Sequence, residues 1–136
     1  MKARFLAVIL VVITCFITAQ SCKKPVKVPT SGGGLGGTFT IVVTPEHHGF
    51  FVDTCTIYIK YNTLDAPANG IYDDSMVCLM VDTTPVAVFA GLRAGDYYIY
   101  AHGYHALYVP PYVKGGVPCT LGTLDTVNVI VPTYSY

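Results

Sequence analysis

Between Thr38 and Val131 apolar residues recur at every second position in short runs, and glycine, proline, asparagine and aspartate separate the runs. Alternation of period two turns one face of a run toward a core and the other toward solvent, so it predicts half-buried strands. Thr38–Thr44 sets Phe39, Ile41 and Val43 on one face with threonines opposite, and it is expected to stop at Pro45. Val52–Lys60 alternates Cys55, Ile57 and Ile59 with Thr54, Thr56, Tyr58 and Lys60. Tyr61–Asp74 reads as a long loop with a turn at Asn69-Gly70. Ser75–Val81 is apolar on both faces and is expected to be interior or covered. Asp82–Pro85 turns the chain into Val86–Ala90, where Phe89 is the expected core anchor because its ring offers the most apolar area.

The strongest pattern runs from Phe89 to Tyr104. Gly91 and Gly95 bracket Leu92-Arg93-Ala94, so the backbone can take positive φ at two corners and fold a strand back on itself. Beyond the turn, Tyr97, Ile99 and Ala101 fall on one face and Tyr98, Tyr100 and His102 on the other. This predicts the longest strand of the chain, at the centre of a sheet. Val109–Tyr112, with two prolines, must be an edge or a loop. Gly115–Gly122 reads as another turn region, and Leu124–Val131 closes the fold with Val127, Val129 and Val131 on one face. About seven short strands with regular turn signals and no helical period predict an all-β fold, a single Ig-like β-sandwich over residues 38–136.

The first residues carry an address. Lys2 and Arg4 precede an apolar run from Phe5 to Ile17, which is shorter than the roughly twenty residues needed to span a bilayer. Residues 1–21 therefore read as a signal peptide rather than a permanent anchor. Ala19-Gln20-Ser21-Cys22 resembles a bacterial lipobox, with Cys22 as the lipid attachment site and Gln20 in place of the usual small residue. Residues 22–37 follow as a lipid-anchored flexible tether, rich in proline and glycine and without hydrophobic period. Its Gly-rich stretch lies between no strand and helix, so it does not read as a phosphate cradle.

Gly91-Leu92-Arg93-Ala94-Gly95-Asp96-Tyr97-Tyr98-Ile99-Tyr100-Ala101, preceded by Phe89, resembles the G-L-x-x-G-x-Y-x-(V/I)-x-A signature of transthyretin-like sandwiches, a group that includes carboxypeptidase regulatory-like and collagen-adhesin B-type domains. The resemblance implies that Leu92 plugs the core between the glycines, that Tyr97 packs inward, and that the domain binds or spaces without catalysis. Two features depart from the pattern. Val81–Pro85 lacks the glycine usual before the Phe strand, and Lys60 has no evident partner for the adhesins' lysine–asparagine crosslink.

Charge narrows the partners. From Thr38 onward Lys60, Arg93 and Lys114 oppose eight carboxylates, a net charge of about −5, so nucleic acid is not an expected partner. Of five cysteines, Cys15 leaves with the signal and Cys22 takes the lipid, which places Cys55, Cys78 and Cys119 in an oxidising compartment. They can form one disulfide at most, in any of three pairings. His47-His48 reads as an exposed turn pair, and His102 and His105 are oddly spaced on a strand and point apart, so no metal site is expected. Asp65, Asp73 and Asp74 lack calcium-loop spacing and read as a solvated acidic loop. No nucleophile–base pair stands out, so neither catalysis nor a cofactor is expected.

Eleven tyrosines are the most unusual feature. Tyr58, Tyr98, Tyr100 and Tyr104 are candidates for one outward platform that could meet a sugar or a partner surface. Together these features predict a non-catalytic protein anchored through a lipid on Cys22 to the outer membrane of a Gram-negative cell, facing the periplasm. It would serve as a structural or protein-interaction module with an envelope protein partner. The alternative is a carbohydrate-binding module that holds a glycan on the outward tyrosines.

Overall fold

The computed structural model describes residues 32–136. The expected signal peptide, Cys22 and residues 23–31 of the expected tether lie outside the described residues. Within them the chain is all-β, two sheets packed as a single β-sandwich. Its strands are β1 (Leu35–His47), β2 (Phe50–Phe51), β3 (Thr54–Tyr61), β4 (Asp74–Val77), β5 (Leu79–Val81), β6 (Thr84–Leu92), β7 (Gly95–Tyr104), β8 (Tyr112–Leu121), β9 (Thr126–Pro132) and β10 (Tyr134–Ser135). One sheet follows the order β2-β1-β6-β5, with β9 added parallel to β1; the other runs β10-β8-β7-β3-β4.

β7 holds the middle of the second sheet, as its alternation predicts. Tyr97, Ile99 and Ala101 are fully buried, while Tyr98, Tyr100 and His102 on the opposite face keep partial solvent contact. Across the sandwich Ile41, Val43, Ala87, Phe89 and Leu92 of the first sheet join Cys55, Ile57, Ile59, Val113 and Leu121 of the second in one core. Each such aliphatic or aromatic side chain stabilises the fold by about 1.5–3 kcal/mol through burial. The β6–β7 turn uses its two glycines as expected, with φ of 72° at Gly91 and 150° at Gly95.

Several expectations are corrected. The longest strand is β1, with thirteen residues. It starts at Leu35 rather than Thr38, because Gly34 and Gly37 lie close against the β6–β7 turn: Arg93 N–H donates to the Gly34 carbonyl at 2.8 Å, and a Cβ at Gly37 would overlap the Leu92 carbonyl. β1 also runs through Pro45. Its β6 ladder ends at Val43–Ala87, and two residues further the register would set Pro45 against Pro85, two residues with no N–H to lose. Gly115 and Gly116 lie inside β8 instead of a turn. There the backbone at Pro132 presses on Gly115 and the Tyr98 ring on Gly116, so these glycines mark close approach rather than reversal.

The largest correction concerns Ser75–Val81. Rather than interior or covered, this run forms the outer margin of the sandwich: among the described residues β4 pairs only with β3, β5 only with β6, and the chain changes sheet at Cys78. Exposure reaches 63% at Val77, 70% at Leu79, 57% at Met80 and 58% at Val81. Met76 leans across the gap and accepts the Val88 N–H on its sulfur at 3.4 Å, closing the edge of β6 beyond its pairing with β5. At the opposite margin β9 passes into β10 in the same way, with Thr133 N–H donating to the Glu46 carbonyl at 2.7 Å.

Candidate functional site

The outward face of the second sheet carries the aromatic residues singled out by the alternation. Register places Tyr58 of β3 directly opposite Tyr100 of β7, and their ring centroids lie 6.1 Å apart. Tyr98 is two residues along β7, with its ring over Gly116 of β8; only a residue without a side chain leaves room for it. Tyr104 does not join this group. It sits at the far end of β7 against Tyr112, at 5.9 Å, with His102 and Tyr136 in contact with each other between the two clusters.

A residue absent from the sequence-based platform completes it. Tyr72, from the loop between β3 and β4, stacks on Tyr100 at 5.5 Å and 18° and lies 5.5 Å from Tyr58. The loop is shaped for this by its Asn69-Gly70 turn. Gly70 takes a φ of 66° and donates to the Pro67 carbonyl, while Asn69 Oδ1 accepts the Ile71 N–H. The loop's end is fixed by Asp73, whose carboxylate accepts from Lys60 Nζ at 2.9 Å and from the Tyr61 N–H at 2.7 Å. The Tyr61 amide, then Lys60, hold the Asp73 carboxyl below its ordinary range.

Two shallow clefts share the walls Tyr58, Gly70 and Tyr72. One of about 300 Å³ extends to Tyr100 and His102; the other, about 380 Å³, extends to Asp73, Asp74 and Ser75. Burial, followed by neighbouring tyrosines, pushes the Tyr72 and Tyr100 hydroxyls up, so both stay neutral at physiological pH as donors and acceptors. Aromatic faces beside paired hydroxyls and carboxylates can stack on an apolar ring face and bond its polar rim.

The histidines differ from expectation. His47 ends β1 fully buried, and His105 is buried just past β7; their Nδ1 atoms are 3.3 Å apart. Ser135 Oγ lies 3.3 Å from His47 Nε2, while Tyr108 packs against all of His47, His48 and His105. His48 alone of the 47–48 pair is exposed, with a φ of 51°. Sequence reasoning missed the pairing because its partners lie 58 positions apart and no local period links them. Among the described residues no group of three or more His, Cys, Asp or Glu side chains converges as a metal cage.

The third feature is the β4–β5 margin. Its outer main-chain groups have no strand partner among the described residues, and its exposed side chains are apolar, with Asp73 and Asp74 at one end and Asp82 at the other. Soluble domains blunt such edges with lysines, prolines or very short strands; the run Asp74–Val81 has neither lysine nor proline, and its two strands are four and three residues long. No protein-family model matches this chain, and no curated protein and no solved structure matches it either.

Proposed function

We propose that this protein is a non-catalytic, lipid-anchored module of the cell envelope that binds a protein partner by accepting its strand along β4 and β5. The observation that carries this reading is the exposed apolar margin formed by Val77 of β4 and Leu79, Met80 and Val81 of β5. Strand addition draws affinity from main-chain hydrogen bonds and specificity from alternate side chains. An occupant with an apolar centre and basic residues at its ends matches the apolar stretch and the flanking Asp73, Asp74 and Asp82. The lipobox-like Ala19–Cys22 supports attachment to the outer membrane, and the transthyretin-like signature around Leu92 and Tyr97 supports a binding or spacing role.

A second reading rests on a separate observation. The Tyr72–Tyr100 stack and its clefts favour a glycan on the outward face of the second sheet, beside β4. Crosslinking in intact membranes separates the two, with wild type run beside Val77→Lys/Leu79→Lys and Tyr72→Ala/Tyr100→Ala. Strand addition predicts one discrete partner, crosslinked through the β4–β5 peptide, lost in the edge variant and retained in the tyrosine variant. Retention of that partner in the edge variant overturns the reading. Recovery of glycan that depends on the tyrosines moves the function to the second.

A further inference from the structure

Cys55 and Cys78 sit where the margin strand changes sheet. β3 and β4 pair antiparallel with Thr56 against Val77, so the next step sets Cys55 opposite Cys78, and the Cys78 N–H donates to the Cys55 carbonyl at 2.8 Å. Directly opposed residues in an antiparallel pair share a face, with Cβ atoms about 4.5–5.5 Å apart. Cys55 faces the core and Cys78 packs against it from the rim, half-buried. Cys119 is on β8, opposite Tyr97 on the far side of β7, and has neither cysteine as a strand neighbour. All three carry free thiols here.

We propose that Cys55 and Cys78 are a disulfide site, a covalent clasp across the β3–β4 edge, and that Cys119 remains a thiol. Bridging needs Cβ atoms about 3.5–4.5 Å apart, which the opposed pair reaches by a small tightening of its ladder. The balance is ordinary thiol–disulfide exchange. The Cys78 thiolate attacks one sulfur of an oxidised dithiol, such as a disulfide-bearing oxidoreductase or oxidised glutathione, and expels the other as a thiolate. Cys55 then loses its proton and attacks the mixed disulfide at Cys78. The two electrons pass to the oxidant, which leaves as two thiols. The roles follow from access: Cys55 faces the core while Cys78 is half-buried at the rim, so an incoming oxidant meets Cys78 first. The site is independent of the partner reading above, although the clasp would hold β4 in place for an incoming strand.

Trypsin resolves the three cysteines, because cuts after Lys27, Lys60, Arg93 and Lys114 leave Cys55, Cys78 and Cys119 on separate peptides. The full chain, expressed in a bacterial envelope, is alkylated under denaturing conditions without reductant and then digested. The expected product joins Val28–Lys60 to Tyr61–Arg93, with alkylated Cys119 on Gly115–Tyr136. Alkylation of both Cys55 and Cys78, in that sample and after incubation with oxidised glutathione, overturns the proposal, as does a link to Cys119. Reductant should lower the wild-type Tm by roughly 10 °C, since closing a loop of this size typically contributes a few kcal/mol. Cys78→Ser should begin at that lower Tm and lose its response to reductant, whereas Cys119→Ser should keep it. A reductant-insensitive wild type would also sink the assignment.

Discussion

Tyr97 shows how much one hydroxyl can organise. Its ring is fully buried, yet its oxygen accepts the Gly34 N–H at 2.9 Å and donates to the Arg93 carbonyl at 2.7 Å. It thus fixes the chain's entry into β1 and the β6–β7 turn at once. Tyr97→Phe keeps the ring and its edge contact with Tyr61 but leaves a buried amide without its acceptor. A loss of about 1–3 kcal/mol is expected, read as a lower denaturation midpoint with an unchanged slope. The inward placement of Tyr97 was legible from the period of two and from the turn before it. Its hydroxyl partners were not, since Gly34 is 63 positions away in a stretch with no pattern of its own.

At the scale of strands, glycine and exposure proved hardest to anticipate. Gly115-Gly116 has the composition of a turn but serves as the thin part of β8, beneath the β9–β10 crossing and the Tyr98 ring. Gly115→Ala should cost roughly 1–3 kcal/mol, because the new methyl must displace backbone at Pro132 rather than a flexible side chain; urea unfolding beside Gly122→Ala, where a Cβ meets open space, checks this. Periodicity reports which residues share a face, as it did for β3, β6 and β7. It does not report whether anything covers that face. Ser75–Val81, apolar on both faces, carries the composition of an interior strand and the position of a margin. Tyr72 was equally hidden, because a loop residue reaches the tyrosine face only through the turn at Gly70.

For the molecule as a whole, the buried His47–His105 contact makes stability sensitive to acid. Burial first, then the nearby His48 and His105, holds His47 below its ordinary value of 6.5. Above that value both folded and unfolded chains hold this imidazole neutral, and folding carries no proton penalty. As pH falls through 6.5 the unfolded chain takes the proton more readily, so stability declines until the lower folded value is passed. The denaturation midpoint should therefore drop between pH 7.5 and pH 5.5, and His47→Asn should flatten that dependence. Through its other ring nitrogen His47 also meets Ser135 of β10, so the end of β1 and β10 are expected to loosen together as the decline proceeds.

β1 runs the length of the first sheet from Leu35 to His47, bonded along one side to β6 and along the other to β9. A pull applied to its N-terminal end acts along the strand axis, so many inter-strand bonds bear the load in shear instead of parting one after another. A domain held at that end and gripped by a partner at its β4–β5 margin would behave as a stiff link under tension. The Gly34 and Tyr97 contacts would be the first to yield.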